Sequence, residues 1–372
     1  MTNSTNNNNY NYTVKVFNSF DDIAAIGDAW NKLSGRKGAY LPWRCFEWFR
    51  MCYDYSKRQN VKLMVYAVYN ENTIVAALPV CQEFEKYKGF VKSNVVRIVG
   101  NAQSSIKSVM YGDGDENLEN IVRVLFEALI DNNNSCDIME IDKLPAEDKI
   151  TGEIIKYLKA CNLRYRTNVS SVNWYVDEID CSSKVYLDNL PSALRKDIQY
   201  CKRRLEREGN LEFLVIKDVN DIDKYLELYD SVRDSSWKAP EKDKKFIRDF
   251  TTMTASKGWL RLGYLLFDGK PIAAQKWFIC QDYAHIYDVL YAEDYKKYSP
   301  GKVLSQMMFE YAIDNDNVTC IDYLQGDEIY KREWTNKVRE RKELTIFNRT
   351  FKGMLYYTLL TKIKPCLSKY LK

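Results

Sequence analysis

Histidine is almost absent from this sequence, since His285 is the only one among 372 residues. One histidine cannot form a metal site of several histidines, and any histidine-based catalytic triad would have to use this single residue. His285 lies in an aromatic-rich segment that has the pattern of a strand, so we interpret it as a packed strand residue rather than as a catalyst.

Paired cysteine motifs are also missing, although the chain has ten cysteines. No two of them have C-x-x-C spacing, and several lie inside apolar runs such as "FICQDY" and "VTCIDYL". This pattern predicts buried, reduced thiols in a reducing cytosol rather than zinc ligands or disulfides. No metal is expected.

The sequence has no apolar run long enough to span a bilayer. Its start, "MTNSTNNNNYNYT", lacks the basic residues and the apolar stretch of a secretory signal, so residues 1–13 are predicted to be a disordered leader. We therefore expect a cytoplasmic protein. The net charge of +4 argues against a dedicated nucleic-acid binder, although it leaves room for a local basic groove.

Two stretches of the chain share one strand pattern. The first, "VKLMVYAVYNENTIVAALPVCQEF", predicts a β-hairpin, and the second, "WLRLGYLLFDGKPIAAQKWFICQDYAHIYDVLY", predicts three successive antiparallel strands. A shift of 197 residues (270 minus 73) places residues 270–274 on residues 73–77. Because the length suggests about two domains, we predict a duplicated fold.

The second half of the chain has a readable order of elements. A basic helix ends near Gly209, and the order that follows is β-α-α-β-β-β-α-β-α-β, with Asn220 as the expected N-cap of the next helix. We predict an α/β fold with two similar domains, 14–182 and 183–350. Each domain is expected to have a mixed, mostly antiparallel sheet flanked by helices.

Residues 351–372 are predicted to form a basic amphipathic helix that contains no acidic residue. Its lysines are Lys352, Lys362, Lys364, Lys369 and Lys372. Such a helix can make a weak contact with an anionic membrane, or it can pack its apolar face on the first domain. We favour packing.

The stretch "YSPGKVL", residues 298–304, joins a predicted strand to a predicted helix. Ser299 suits an N-cap and Pro300 suits the first helical position, so the motif is explained by a helix start alone. It also fits an anion site, in which Gly301 allows a phosphate to approach the free amides at the helix N-terminus. Both interpretations stay open at this level.

The element order around this stretch, residues 298–304, resembles the GNAT acyltransferase fold. The chain looks most like the double-GNAT group that includes the CelD/BcsL-type "cellulose biosynthesis" acetyltransferases and, more distantly, the Fem-type peptidyl transferases. The resemblance covers about residues 14–350 and rests on "YLPWRCFEWF", "RKDIQYCKRRLEREG", "DGKPIAA", "YAEDYKKYSPGKVL" and "IDYLQGDEIYKREW". It implies an acyl-thioester donor, usually acetyl-CoA, with a carrier-protein thioester or an aminoacyl-tRNA as alternatives.

By this resemblance, the donor lies along one strand and on the helix start that follows it. The residues implied in donor binding are Leu290, Tyr291, Ser299, Pro300, Gly301, Lys302 and Val303. Backbone amides of the strand could also hold the oxyanion of the transition state. The acceptor pocket is implied at Trp237, Lys238 and Gln275, and an aromatic wall of this kind suits sugars and peptides equally.

Four residues are candidates for catalysis. Asp288 and Asp322 lie inside apolar strands, where a carboxylate is either a hydrogen-bonded anchor or a general base with a raised pKa. For Asp322 an anchoring role is favoured, and for Asp288 both roles remain open. Tyr330 and Lys331 open a helix, and resemblance to Fem-type enzymes implies that Lys331 lies near the reacting carbonyl. Its alternative is a surface ion pair with Glu328 or Glu333.

A basic run could bind phosphates, although a solvated helix face with acidic partners accounts for it more simply. Its members are Arg195, Lys196, Lys202, Arg203, Arg204 and Arg207. Our main hypothesis is an N- or O-acyltransferase of cell-surface polysaccharide or specialised-metabolite assembly that acts by direct attack in a ternary complex. The alternatives are a Fem-like transferase that uses aminoacyl-tRNA, which the absence of a long heptad run disfavours, and a GNAT-like scaffold without activity.

Overall fold

The computed structural model describes residues 11–35, 41–56, 61–112, 117–217 and 220–363. Most of the predicted leader and the lysines at positions 364, 369 and 372 lie outside these residues. Within them, the mixed α/β fold expected from the sequence is confirmed.

The first half of the chain alternates an antiparallel meander with helices. Its elements are β1 (Tyr12–Phe17), α1 (Gly27–Ser34), α2 (Phe46–Asp54), β2 (Lys62–Asn70), β3 (Thr73–Lys86), β4 (Lys92–Ile98), β5 (Met110–Tyr111), α3 (Leu118–Asn132), β6 (Ile138–Pro145), α4 (Lys149–Ala160) and β7 (Arg164–Val176).

The second half repeats this order after two connecting helices. Its elements are α5 (Ser183–Asp188), α6 (Ser192–Glu208), β8 (Leu211–Ile216), α7 (Ile222–Asp234), α8 (Lys244–Ser256), β9 (Leu260–Phe267), β10 (Lys270–Cys280), β11 (Tyr283–Tyr291), α9 (Pro300–Asp314), β12 (Cys320–Gln325), α10 (Ile329–Trp334), β13 (Lys337–Phe347) and α11 (Phe351–Thr358). A π-helical turn, Leu359–Ile363, follows α11. The structure thus agrees with the predicted duplication, and β3 and β10 begin at the two positions that the 197-residue shift aligns.

The chain forms two compact units. Unit 1 contains residues 1–171 and 339–372, and unit 2 contains residues 172–338. The sequence placed the boundary at 182/183 and kept each domain continuous. It could not show that the last strand of the second half, β13, pairs with β6 in unit 1, or that the end of β7 pairs with β12 in unit 2.

Unit 1 has the strand order β1-β2-β3-β4-β6-β13, with β5 beside β3. All these pairs are antiparallel except β4–β6, which is parallel. The strand β1 begins at Tyr12, so the predicted leader extends two residues too far at its C-terminal end. Tyr356 of α11 and Leu360 of the π-helical turn pack against Tyr87, Val95 and Ile138, as expected for this part of the chain.

Unit 2 has the strand order β8-β9-β10-β11-β12-β7, and only β11–β12 is parallel. The helix α9 packs on one face of this sheet through Val303, Leu304 and Phe309. The helix α7 starts after Asp221, which has a left-handed backbone and makes no side-chain cap, so the predicted N-cap at Asn220 is wrong by one residue.

The cysteines follow the prediction in most respects. Most of the described cysteines are buried. Burial raises the pKa of the Cys136 thiol to about 12, which keeps it protonated and unreactive. Cys161 differs, because it is exposed at the end of α4. His285 is buried in β11, as predicted.

Candidate functional site

The parallel strands β11 and β12 of unit 2 pair over a short distance only. Their register joins 283–285 to 320–322, ending at the pair His285 and Asp322. Both strands continue beyond this point, to Tyr291 and Gln325, and no further pairing between them occurs within the described part of unit 2. The sheet is therefore open between the C-terminal ends of the two strands, as binding clefts of α/β sheets often are.

A β-bulge lies in β11 beside this opening. Asp288 pairs with Lys276 of β10 and Ile286 pairs with Trp277, so Tyr287 is an extra residue in β11. A bulge turns the following side chains and strengthens the local twist of the strand. Here it directs Asp288 towards α7.

Asp288 is the centre of a buried polar cluster. Its carboxylate accepts a hydrogen bond from the Tyr229 hydroxyl at 2.6 Å and forms ion pairs with Arg233 and Lys238. Burial alone would raise the pKa of Asp288, but the adjacent Lys238 and Arg233 cations outweigh it and hold the pKa below its ordinary value. A general base with a raised pKa, one of the two roles expected for Asp288, does not fit this environment.

Two further charged residues complete this cluster. Glu241 forms an ion pair of 2.8 Å with Arg233. Lys276, fully buried on β10, donates to the Thr251 hydroxyl at 3.0 Å, and its ammonium lies 4.5 Å from the centre of the Tyr229 ring. Burial lowers the pKa of Lys276. Neither residue was predicted from the sequence. Lys276 could have been, because it is a charged residue inside the apolar run "PIAAQKWFIC", and Asp288 was identified by the same pattern.

Aromatic side chains flank this polar cluster. The exposed indole of Trp237 lies beside Lys238, whose ammonium is 5.6 Å from the ring centre. Tyr330 contacts the buried Tyr323 edge-on at 5.8 Å. The structure thus brings Trp237 and Lys238 beside Asp288, whereas Tyr330 lies against Tyr323 at the start of α10.

Asp322 holds the chain after β12. Its Oδ1 accepts hydrogen bonds of 2.6 Å from the Asn173 amide group and from the backbone N–H of Leu324. Leu324 has a left-handed backbone with φ of 57°, a conformation that a branched residue adopts only when its surroundings stabilise it. These contacts agree with the anchoring role favoured for Asp322.

Lys331 forms the ion pair with Glu328 that was considered as an alternative, but the lysine side chain is buried rather than on the surface. Its ammonium pairs with Glu328 at 2.8 Å and donates to the carbonyl of Gln325. Gly326 makes this approach possible, because its φ is 119° and a Cβ there would lie 2.7 Å from the Lys331 Nζ. Lys331 therefore fixes the turn between β12 and α10.

The helix α9 begins as the sequence predicted, with Ser299 before it and Pro300 in its first position. Ser299 has a left-handed backbone and its side chain makes no cap hydrogen bond. The backbone N–H groups of Lys302 and Val303 both donate to the Ser299 carbonyl, at 2.9 and 3.3 Å. The first turn therefore satisfies the amides of Lys302 and Val303, and Pro300 and Gly301 are buried.

The side chain of Lys302 points to α6 rather than into an open phosphate site. Its ammonium pairs with Asp197 at 2.8 Å. Burial lowers the pKa of Lys302, but the Asp197 carboxylate outweighs this and raises it overall. A Cβ on Gly301 would lie 3.4 Å from the Tyr291 ring and 3.8 Å from Val289, so the step packs closely on β11.

Five residues expected to bind the donor or the acceptor are buried, namely Gln275, Leu290, Pro300, Gly301 and Val303. Gln275 donates to the Gly301 carbonyl at 3.2 Å and to the Ser305 hydroxyl at 2.8 Å, and it accepts a hydrogen bond from the Trp277 indole. It therefore anchors α9 to β10, and its predicted contact with a substrate does not fit this burial. Leu290 and Val303 have buried side chains, which leaves only their backbone for a ligand.

The equivalent opening of unit 1 is filled by its own chain. There β4 and β6 also pair over three residues only, up to Arg97 and Glu140. Lys143 donates to the carbonyls of Ala102 and Ser104, at 3.1 and 2.6 Å, and thereby fixes the segment that follows β4. The helix α3 is capped by the side chain of Asn117, unlike α9.

Comparisons with known proteins agree on the kind of fold. Residues 192–332 match the family model described as an acetyltransferase (GNAT) domain. No curated protein sequence matches the chain significantly.

Several solved structures resemble the chain over nearly its whole length. A structure of FemX has a TM-score of 0.58 and 11% identity, and the match covers 92% of this chain and 98% of FemX. The C-terminal domain of a putative lysylphosphatidylglycerol synthetase from Agrobacterium fabrum has a TM-score of 0.53, 11% identity and coverages of 90% and 96%. A conserved protein of unknown function from Bacteroides thetaiotaomicron has a TM-score of 0.53, 14% identity and coverages of 90% and 100%. At these identities the likeness shows the fold alone.

Proposed function

We propose that this chain, whose residues 192–332 match an acetyltransferase (GNAT) domain and whose first unit repeats the element order of that domain, transfers an acyl group from a CoA thioester to an amine or hydroxyl acceptor. The observation that carries the proposal is the open sheet between β11 and β12, which lies directly before the uncapped start of α9. A cytoplasmic role in polysaccharide or specialised-metabolite synthesis is part of the proposal.

In this proposal the donor lies along β11 and at the start of α9, at Ser299, Pro300 and Gly301. A diphosphate at the start of α9 would meet the amide of Gly301 and the positive end of the helix dipole. The backbone of Leu290 and Tyr291 would align the thioester beside the opening. Because both reactants are held in place, much of the rate enhancement would come from orientation.

The acceptor is placed in the region of Trp237, Lys238 and Tyr330. In this arrangement Asp288 orients Lys238 rather than removing a proton, because two cations stabilise its ionised form. Asp322 and Lys331 act indirectly, because they fix the end of β12 and the turn that precedes Tyr330. Tyr330 itself can donate a hydrogen bond through its exposed hydroxyl-bearing ring.

A second candidate is transfer from an aminoacyl-tRNA. The helix α6 contacts the donor step, because Asp197 pairs with Lys302 and the Arg204 guanidinium stacks 4.6 Å from the centre of the Tyr298 ring. Lys196, Arg203 and Arg207 are exposed on the same helix and could contact a longer phosphate backbone. An acyl carrier protein, which also presents negative charge, remains a variant of the first proposal.

Thermal unfolding with added ligands separates these functions. The proposal predicts that CoA and acetyl-CoA raise the melting temperature, and that Gly301→Glu abolishes this shift by placing a carboxylate at the phosphate position. Gly152→Glu is the matched control, because Gly152 lies in the first turns of α4 with open space around it. A shift with tRNA alone would favour the second candidate, and no shift with any of these ligands would favour a scaffold.

A further inference from the structure

Unit 1 carries an exposed surface that combines phenylalanine and lysine side chains, which we call the Phe84 patch. It consists of Phe84, Lys86, Phe90, Val91 and Lys92 from the β3–β4 hairpin and Phe351, Lys352 and Leu355 from α11. The exposed fractions of Phe84, Phe90 and Phe351 are 60%, 59% and 86%. Isolated apolar side chains are common on protein surfaces, but three exposed phenylalanines in one neighbourhood are not.

The hairpin separates its charges by face. Phe84 and Lys86 lie two residues apart on β3, and Lys86 stands directly opposite Lys92, so all three point to the same side of the sheet. Glu85 points to the other side and pairs with Arg97 at 2.7 Å. The face that carries Phe84 is therefore basic and aromatic.

The helix α11 begins beside Phe84, because the Lys352 ammonium lies 5.5 Å from the centre of the Phe84 ring. The buried side of α11 is formed by Gly353 and Tyr356, and Leu360 of the following π-helical turn is also buried, whereas Phe351 and Leu355 lie one turn apart on the opposite, exposed side. An amphipathic helix that only covered a core would carry polar residues there.

The hairpin and the helix are joined by direct contacts. The Lys352 ammonium donates to the Lys92 carbonyl at 2.7 Å and lies 5.5 Å from the centre of the Phe84 ring. The Tyr356 hydroxyl accepts from the Val91 amide at 3.0 Å and donates to the Val91 carbonyl at 2.9 Å. The hairpin tip is thus fixed, so little conformational entropy would be lost when it binds a partner.

We infer that the Phe84 patch docks this protein on an anionic membrane surface. Exposed rings on a fixed support can enter the headgroup region, while lysines beside them attract anionic lipids. Charge decides this choice of partner. The Lys92 and Lys352 ammonium groups lie 6.0 and 5.5 Å from the centre of the Phe84 ring, Lys86 stands opposite Lys92, and Glu85 points to the other side of the sheet. The inference concerns unit 1 only and does not depend on the acyl donor.

Sedimentation with lipid vesicles tests this docking. The wild-type protein is expected to bind vesicles of phosphatidylcholine and phosphatidylglycerol, to bind pure phosphatidylcholine far less, and to lose binding as salt increases. Replacing Phe84 and Phe351 by Ser is expected to lower binding by about tenfold or more. Lys86→Glu is expected to weaken binding to the anionic vesicles only.

The controls make each outcome decisive. Tyr200→Ser removes an exposed aromatic ring from the basic helix α6 outside the patch, and its binding should equal that of the wild type. The melting temperature of the Phe84→Ser/Phe351→Ser variant, with and without acetyl-CoA, shows that it is folded and separates this test from the test of acyl transfer. Equal binding by that variant, or no binding by the wild type, would overturn the inference. The inference would also be overturned if the wild-type protein formed a dimer and this variant were monomeric, since a second copy of the chain would then be the partner.

Discussion

The ammonium group of Lys238 forms an ion pair with the carboxylate of Asp288, across the gap between the α7–α8 connection and β11. Asp288 is buried, whereas Lys238 is partly exposed. The pair therefore has an inner end, fixed by Tyr229 and Arg233, and an outer end that a substrate can reach. In the proposed function, Asp288 therefore positions Lys238.

The first prediction concerns the removal of this negative charge. Asp288→Asn should destabilise the protein by about 2–4 kcal/mol at neutral pH, because the Arg233 and Lys238 cations lose their shared partner. The pKa of Asp288 is lowered in the folded state, so its contribution is present above about pH 4 and is lost on further acidification. Urea unfolding at several pH values should show the two proteins converging in acid. Equal stability at pH 7 would contradict the ion-pair account.

Asp322 provides a second test, because anchoring and proton abstraction make different demands. Asp322→Asn keeps an oxygen that accepts from the Leu324 amide, so it should retain activity within about tenfold of the wild type. Asp322→Ala removes the acceptor and should cost about 3 kcal/mol and most of the activity. Steady-state rates and unfolding curves of both variants check this. An inactive but fully stable Asp322→Asn enzyme would instead indicate a general base.

The buried charge of Lys276 is expected to destabilise the folded protein. Its pKa is lowered in the folded state, so the unfolded chain binds the proton more tightly and stability must rise with pH up to about pH 10. Lys276→Met keeps the length of the side chain without the charge, and we expect it to be about 1–3 kcal/mol more stable at pH 7. Thermal unfolding from pH 7 to pH 10 should show this advantage shrinking. A destabilised variant would mean that the contacts with Thr251 and Tyr229 outweigh the cost of burying the charge.

The ion pair between Asp197 and Lys302 should compete with the donor. Asp197→Asn releases the Lys302 ammonium next to the α9 start, and we expect donor affinity to increase about two- to fivefold at low salt. Stability should change by less than about 1 kcal/mol, because both side chains are partly exposed. Calorimetric titration with CoA measures the effect, and Asp197→Asn combined with Lys302→Met should abolish the gain. An unchanged affinity in Asp197→Asn would place the donor away from Lys302.

Local patterns predicted the elements of unit 2 well. The turn at Asp268 and Gly269 and the alternating apolar residues around it located β9 and β10, and Pro300 located the start of α9. These signals act over a few residues, so the sequence alone carries them. Ser299 shows the limit of such reasoning, because it occupies the N-cap position without capping, in a left-handed conformation that a pattern does not specify.

The missed features depend on contacts between distant segments. Arg233 meets both Asp288 and Glu241 only because α7 and the segment after it pack on β11, and Gln275 is buried only because α9 covers it. The exchange of β7 and β13 between the units is likewise a choice of strand partner, which apolar alternation does not encode. The sequence thus identified charged residues inside apolar strands, but it did not predict which of them form ion pairs or hydrogen bonds with one another.

The central claim is that one acyl donor binds at the start of α9. Isothermal titration of acetyl-CoA into the wild-type protein, Gly301→Glu and Gly152→Glu tests it most directly. We predict one site per chain, because the equivalent opening of unit 1 is filled by its own segment. That site should be lost in Gly301→Glu and kept in Gly152→Glu. Undiminished binding by Gly301→Glu, or two sites per chain, would contradict the account.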